Sequence, residues 1–156
     1  MIITDFLERN AREFPNDIAL VEINPEIKED RRVTWKEFEL IEPNPKTSYR
    51  REITWGVFNE KANRFANLLI QRGIQKGDKV AILMMNSLEW LPIYFGILKT
   101  GALAVPLNFR YSSDEIEYCV NLAEVDILVF SNPFIGRVEE IADRISKGRL
   151  LIYVGE

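Results

Sequence analysis

Residues that commonly carry out catalysis are scarce in this sequence. It contains no histidine, which removes the most frequent general base and the most frequent metal ligand. Its one cysteine, Cys119, excludes an internal disulfide and supports no metal cluster. Cys119 stands in a predicted helix among apolar neighbours, which favours a buried structural thiol over a nucleophile.

A phosphate-binding loop would require closely spaced glycines ahead of a helix. The glycines form neither a dinucleotide-binding fingerprint nor a P-loop that closes in Gly-Lys-Ser/Thr. Neighbouring carboxylates lie on predicted helix surfaces, where solvation is a simpler interpretation than an acid–base pair; they are Glu115/Glu117 and Glu139/Glu140. The residue types alone therefore indicate no catalytic site.

The stretch at residues 98–108, LKTGALAVPLN, predicts a helix end followed by a short strand. Gly101 can adopt the left-handed conformation that ends a helix. A strand over residues 102–105 follows, and Pro106 ends it because proline has no amide proton for a ladder. By itself this is an ordinary helix-to-strand turn of an α/β protein.

From Lys79 onward, short apolar runs alternate with amphipathic segments. We expect a mostly parallel sheet in three layers, with helices on both faces and right-handed crossovers. Three elements are predicted before this sheet: an N-terminal helix capped by Thr4, a strand over residues 18–23 and a long helix from Thr54 to about Arg72. The predicted strands of the sheet are 80–84, 102–105, 126–130 and 150–154, and its helices are 87–100, 114–123 and 134–147.

Residues 20–39 and 40–59 form an internal repeat. Both copies contain Asn-Pro and a Thr-Trp-x-x-Phe segment, which begins at Thr34 and at Thr54. Each copy predicts a strand, an Asn-Pro turn, a second strand and a helix start. Two copies are too few for a solenoid, so a local duplication is the simpler account. We expect one of the two copies to be an addition to the fold. We expect the Thr-Trp-x-x-Phe segment that begins at Thr34 to form at most a short turn.

Composition narrows the class of protein further. The chain has 156 residues, enough for one domain or part of one, and 20 basic residues stand against 24 acidic ones. No basic cluster calls for a nucleic-acid partner. No apolar run is long enough for a transmembrane segment, and the N-terminus lacks a secretory pattern. These features predict a soluble cytoplasmic protein.

Four motifs in chain order are similar to those of a known enzyme family. They are Thr54-Trp55, GDKVA from Gly77, NSLEW from Asn86, and LKTGALAVPLN at residues 98–108. The chain resembles the N-terminal part of AMP-forming acyl-CoA synthetases, members of the adenylate-forming superfamily. The resemblance implies an incomplete N-terminal domain of that fold. Residues 1–59 would hold the helix and the duplicated unit, and residues 60–156 the β/α sheet.

The resemblance also implies a parent reaction in which a carboxylic acid, ATP and CoA give acyl-CoA, AMP and pyrophosphate, with Mg as a further cofactor. The family's phosphate loop closing in Pro-Lys-Gly and its catalytic lysine have no counterpart here. We therefore expect this chain to bind none of those cofactors productively and to be inactive alone. The alternative is a stand-alone association module that kept the fold.

Two arginines are candidate cofactor contacts by resemblance. In family members that use CoA, the loops after the second and third strands of this sheet lie near the CoA nucleotide, which corresponds here to Arg110 and Arg137. A solvated surface arginine is the alternative for each. The apolar last strand, at residues 150–154, predicts a sheet edge that needs cover, supplied by a homodimer or by the C-terminal remainder of a synthetase.

Overall fold

The computed structural model describes residues 2–23, 50–148 and 150–155. In these residues helices and strands alternate, which confirms the predicted α/β class. The strands are β1 (Ile18–Ile23), β2 (Arg50–Thr54), β3 (Lys79–Leu83), β4 (Leu103–Pro106), β5 (Ile127–Ser131) and β6 (Leu150–Val154). The α-helices are α1 (Ile3–Glu13), α2 (Trp55–Gln71), α3 (Trp90–Lys99), α4 (Ser113–Leu122) and α5 (Ile135–Ile141).

α1 begins earlier than its predicted cap. Thr4 lies inside the helix with a buried side chain, so its prediction as the capping residue is wrong. The Asp5 carboxylate accepts a hydrogen bond from the Ile2 amide at 3.0 Å and satisfies one donor at the helix start. Leu7 is the buried apolar residue of this helix.

β1 and β2 form a separate antiparallel pair. Ile23 lies opposite Arg50 and Ile18 opposite Thr54, with an irregularity between Ile18 and Leu20. The strand predicted at residues 18–23 is therefore confirmed. β1 reaches into the first copy of the repeat and β2 lies in the second. The turns predicted at residues 24–49, including that at Thr34, lie outside the described residues.

α2 follows the sequence prediction closely. The Thr54 hydroxyl accepts a hydrogen bond from the Val57 amide at 3.3 Å and caps the helix. After the helix, Gly73 has a φ of 83°, which is the left-handed conformation of a helix stop. The buried face of the helix consists of Phe58, Ala62, Ala66 and Leu69.

The main sheet has four parallel strands in the order β4-β3-β5-β6. Val80 in β3 pairs with Ala104 on one side and with Ile127 on the other. Gly101 has a φ of 79°, as expected for the helix stop before β4. Its carbonyl accepts a hydrogen bond from the Gly77 amide at 3.0 Å, which ties this turn to the one before β3.

Helices cover both faces of the sheet, because alternate residues of each strand point to opposite sides. On one face, Ile82 and Val129 pack with Leu69 of α2 and Ile97 of α3. On the other face, the buried residues of the strands pack against α4 and α5; the cluster includes Ala81, Leu83, Leu128, Phe130, Ile116, Val120, Val138 and Ile141. The predicted three-layer arrangement is confirmed.

α3 starts at Trp90, later than predicted. Its N-cap is Glu89, which makes no side-chain capping bond, so the helix predicted from residue 87 begins three residues later. The chain before it is held differently, because the Leu88 amide donates to the Glu22 carboxylate at 2.7 Å. The later start places Pro92 in the first turn, where a missing amide proton leaves no helical bond unmade.

The helix predicted at residues 134–147 is shorter in the structure. α5 ends at Ile141, between the 3-10 turns Asn132–Phe134 and Ala142–Arg144. The Asn121 side chain of α4 donates to the Arg144 carbonyl at 3.1 Å and accepts from the Ser146 amide at 2.9 Å. These two tertiary bonds hold the backbone of residues 144–146 in a form that does not continue the helix.

Candidate functional site

Three loops leave the carboxyl edge of the parallel sheet. They follow β3, β4 and β5, at residues 84–89, 107–112 and 132–134. In open α/β sheets, ligands bind beyond this edge, at the point where successive connections diverge. The order β4-β3-β5 places that point beside β3, because the chain passes first to β4 on one side and then to β5 on the other.

Arg137, in the first turns of α5, supports the loop after β4. Its Nη1 donates to the Phe109 carbonyl at 3.0 Å and to the Tyr111 carbonyl at 2.9 Å. The centre of the guanidinium also lies 5.6 Å from the centroid of the Phe134 ring. Both hydrogen bonds use one nitrogen and both partners are uncharged carbonyls, so these contacts place no negative charge beside the guanidinium.

Arg110 stands between the two residues that Arg137 holds. Its backbone amide donates to the Asn108 side-chain carbonyl at 2.9 Å, and the Tyr111 amide donates to the Asn108 backbone carbonyl at 3.1 Å. These local bonds fix a turn. The Arg110 side chain is exposed, and its guanidinium lies 5.4 Å from the centroid of the Phe109 ring.

The structure thus brings the two predicted arginines to the same edge of the sheet. Within the described part of the chain, no carboxylate forms an ion pair with Arg110 or Arg137. Residues 107–112 themselves contain no acidic side chain. Two guanidinium groups at the carboxyl edge make a suitable place for a phosphate.

The same loop ends in the cap of α4. The Ser112 hydroxyl accepts a hydrogen bond from the Glu115 amide at 3.3 Å, and the Ser112 amide donates to the Glu115 carboxylate at 2.8 Å. These bonds form a capping box. The Ser112 amide, and secondly its hydroxyl, stabilise the carboxylate and lower the pKa of Glu115 below its ordinary value.

Glu22 has a role that the sequence did not reveal. Its carboxylate accepts from the Leu88 amide and, at 2.9 Å, from Nη2 of Arg51, so it links the β1–β2 pair to the loop after β3. Glu89 lies 3.8 Å from Arg51 and 3.7 Å from Lys61, which extends the charged contacts to α2. No periodic pattern predicts such contacts, because Glu22 and Leu88 are far apart in the chain.

Beside this network lies a cleft of about 270 Å³ between β1 and the start of α3. Apolar side chains from both elements line it, together with Glu22 and Ser87; the apolar residues include Leu20, Leu88, Trp90 and Leu91.

The described residues contain no cluster of three or more potential metal ligands. None of the described helices has both the length and the apolar character that crossing a bilayer requires.

Comparison with known proteins identifies the family. The family model for AMP-binding enzymes matches residues 43–155, which is most of the chain. The chain belongs to the AMP-binding enzyme family. It is similar to the N-terminal part of adenylate-forming acyl-CoA synthetases, as the resemblance of its motifs predicted.

Individual relatives agree with this placement. A medium/long-chain-fatty-acid/3-oxocholest-4-en-26-oate CoA ligase of Mycolicibacterium smegmatis is 38% identical over 86 residues. That match covers 55% of this chain and 16% of the ligase, so the chain corresponds to a small part of its relative's length.

Solved structures extend the similarity to the fold. The anthranilate CoA ligase AuaEII, in complex with anthranoyl-AMP, has a TM-score of 0.76 and is 26% identical. The match covers 97% of this chain and 24% of AuaEII. The N-terminal domain of FACL13 from Mycobacterium tuberculosis has a TM-score of 0.64 and is 32% identical, over 67% of this chain and 27% of that domain. The parallel sheet with its two helical layers is therefore that of an adenylate-forming N-terminal domain.

Proposed function

We propose that residues 1–156 are an N-terminal fragment of an AMP-dependent acyl-CoA synthetase and are inactive alone. The parent enzyme would convert a carboxylic acid, ATP and CoA into acyl-CoA, AMP and pyrophosphate. The match of the family model over residues 43–155 carries the assignment. In this proposal, residues 1–59 contribute the N-terminal helix and the duplicated unit, and residues 60–156 the first β/α units of an incomplete N-terminal domain.

The proposed inactivity follows from the donors that adenylation needs. Negative charge develops on the phosphates of ATP during attack by the carboxylate, and preorganised cations and amide groups stabilise it. This sequence has no glycine-rich phosphate loop and no Pro-Lys-Gly segment. Its residues therefore do not fit ATP, and the use of ATP and Mg is proposed for the parent enzyme alone.

An exchange assay tests the inactivity directly. The 156-residue chain is incubated with ATP, labelled pyrophosphate and a broad panel of carboxylic acids, and label in ATP is counted. The Mycolicibacterium smegmatis ligase serves as the positive control. We expect label at the level of the blank for every acid. Acid-dependent exchange clearly above the blank would overturn the proposal.

For the β4 loop, residues 107–112, we propose contact with a phosphate of CoA. Arg110 would supply the exposed guanidinium, and Arg137 would both add charge and hold the loop through the carbonyls of Phe109 and Tyr111. Electrostatic attraction at such an exposed place is modest. The contact would therefore assist binding in the complete enzyme and would give this chain a weak affinity for CoA.

Titration with CoA tests this contact. Arg110→Ala should weaken binding of CoA to the chain about two- to fivefold, which corresponds to an exposed ion pair. Arg110 is preferred to Arg137 for this test, because replacing Arg137 would also release the loop. Arg72→Ala, at the exposed end of α2 near the opposite edge of the sheet, is the matched control and should bind like the wild type. Equal affinity in the Arg110→Ala variant would refute the contact.

A second candidate function is a stand-alone, non-catalytic association module. The two hydrophobic clusters favour it, because the described residues themselves bury the side chains at their centres. These side chains include Leu69, Val80 and Ile97 on one face of the sheet, and Leu83 and Ile116 on the other. Cooperative thermal unfolding of the 156-residue chain would support this candidate, and its absence would remove it. That the protein is cytoplasmic remains a prediction. That a homodimer or the C-terminal remainder of a synthetase covers the last strand also remains a prediction.

A further inference from the structure

The loop after β3, residues 84–89, is anchored at two buried residues. Met84 packs in the hydrophobic cluster between the main sheet, α2 and α3. Leu88 is 5% exposed and packs in a different cluster, with residues of α1, β2 and α2. Only residues 85–87 lie between these anchors, and Met85 and Asn86 are exposed. Residues 85–87 therefore form a short arch whose far end is held by the N-terminal elements and not by the main sheet.

The carboxylate of Glu22 fixes the backbone at this far anchor. Its Oε2 accepts a hydrogen bond from the Leu88 amide at 2.7 Å and another from Nη2 of Arg51 at 2.9 Å. Arg51 lies directly opposite Glu22 in the β1–β2 pair, so the guanidinium orients the carboxylate from the same face. The Glu22 side chain is 23% exposed, and a charged acceptor that is largely shielded from water forms a strong hydrogen bond.

The arch leaves the sheet beside the loop that carries Arg110. β3 and β4 are neighbouring parallel strands, and the Leu107 amide donates to the Ile82 carbonyl at 2.9 Å, which continues their pairing past the end of β4. Extending the register of this pair places Met85 at the level of Phe109. Both of these apolar side chains are exposed, so the two loops offer apolar surface to a ligand at this edge.

Exposed apolar side chains beside a guanidinium suit a ligand that joins a flat ring to a phosphate. Methionine adapts its shape to a ring, and the guanidinium of Arg110 pairs with phosphate oxygens. We propose that Glu22 is a positioning residue for such a ligand, because it holds the arch against the nucleotide end of CoA. The proposal rests on the CoA contact proposed above, which concerned the β4 loop, and adds the arch as a second contact. An arch that is already ordered lowers the cost of binding.

An NMR titration of the isotope-labelled chain with CoA tests this residue by residue. In the wild type, CoA should shift the amide signals of residues 85–87 as well as those of residues 107–112. Glu22→Ala should abolish the shifts at 85–87 and leave those at 107–112. It should also speed up hydrogen exchange of the Leu88 amide about tenfold, as expected for the loss of one hydrogen bond to a charged acceptor.

Two conservative variants separate the reach of the Glu22 side chain from its charge. Glu22→Gln keeps an acceptor within reach of the Leu88 amide, so it should restore most of the shifts at 85–87. Glu22→Asp keeps the charge but withdraws it by one methylene group, so it should behave like Glu22→Ala. Should alanine unfold the hairpin, this pair of variants decides in its place.

Glu52→Ala is the matched control, because it removes a carboxylate from the same hairpin. Glu52 follows Arg51 in β2, so it lies on the opposite face of the strand pair, and it forms an ion pair with Arg50. This variant should keep all the shifts and the wild-type exchange of the Leu88 amide.

The two loops report separately on the two proposals. Wild-type shifts at 107–112 without shifts at 85–87 would overturn the role of the arch and leave the CoA contact of the β4 loop standing. Shifts at 85–87 that survive in Glu22→Ala, or that disappear equally in Glu52→Ala, would show that Glu22 is not the positioning residue. Shifts at neither loop would overturn both proposals.

Discussion

Gly101 shows how one residue type decides a chain reversal. Its φ of 79° lies in the region that residues with a β-carbon avoid. A β-carbon there would also lie 3.2 Å from Cγ of Lys76. The turn between α3 and β4 therefore depends on glycine for its backbone conformation and for its contact with the preceding turn.

Replacing Gly101 by valine should destabilise the protein. We expect a loss of about 1–3 kcal/mol, because a β-branched residue is strongly disfavoured at positive φ. For a chain of this size the melting temperature should fall about 2–4 °C per kcal/mol. Gly136→Ala is the control, since Gly136 lies in α5 with no atom near a new β-carbon and should tolerate the change. An unchanged melting temperature in Gly101→Val would contradict this account.

Glu115 gives the N-terminus of α4 a pH-dependent stability. Its pKa is lowered by hydrogen bonds from Ser112, so the carboxylate stabilises the folded state above the unfolded pKa. That contribution is lost as the pH falls through the folded pKa. We expect the melting-temperature difference between wild type and Glu115→Gln to be largest near neutral pH and to vanish in strong acid.

The control for this measurement is Glu139→Gln, which removes the same charge from an exposed position of α5. It should show a smaller difference at neutral pH, because it breaks no capping box. A Glu115→Gln difference that stays constant from neutral to strongly acid pH would contradict the role of the ionised carboxylate in the cap.

Turn and helix-start residues could be predicted where their conformation is set locally. Gly101 and the helix start at Thr54 behave as their sequence neighbours indicate, whereas Thr4 lies inside α1 and does not cap it. The contacts of Arg137 and Glu22 could not be predicted, since their partners are remote in the chain and lack any distinctive pattern. The candidate phosphate site came from resemblance, and the loop support by Arg137 came from the structure.

At the scale of elements, helix and strand types were predictable and several ends were not. Periodicity identifies α2 and β3 because their apolar faces repeat regularly. The start of α3 and the end of α5 depend on the tertiary partners Glu22 and Asn121, which local propensity does not contain. The predicted ends of these helices were therefore wrong where a distant side chain forms hydrogen bonds with the backbone near the helix end.

The duplicated segment offers a test at the same scale. Residues 24–49 connect β1 and β2, and deletion of residues 24–43 removes one repeat length and leaves residues 44–49 as the connection. Such a length suits an antiparallel hairpin. We expect this variant to fold with cooperative thermal unfolding, as we also expect for deletion of residues 20–39, although that deletion alters β1 itself.

Deletion of residues 56–75 is the control of equal length. It removes nearly all of α2, with the buried Phe58, Ala62 and Leu69, so cooperative unfolding should be lost. Loss of cooperativity in the 24–43 deletion would show that both repeat copies are integral to the fold.

At the scale of the whole molecule, alternation of strands and helices was sufficient to predict a three-layer α/β fold. The strand order β4-β3-β5-β6 was not predictable, because a right-handed crossover can place the next strand on either side of the preceding strands. That order matters for function, since it determines which loops meet at the carboxyl edge.

A chimera tests the central claim, that this chain is an N-terminal synthetase segment without catalytic power of its own. Residues 1–156 replace the corresponding segment of the Mycolicibacterium smegmatis ligase, to which they are 38% identical over 86 residues. Acid-dependent exchange of pyrophosphate into ATP is then measured for the chimera and for the isolated chain. We predict exchange by the chimera and none by the chain. Exchange by the isolated chain, or a folded chimera without exchange, would contradict the claim.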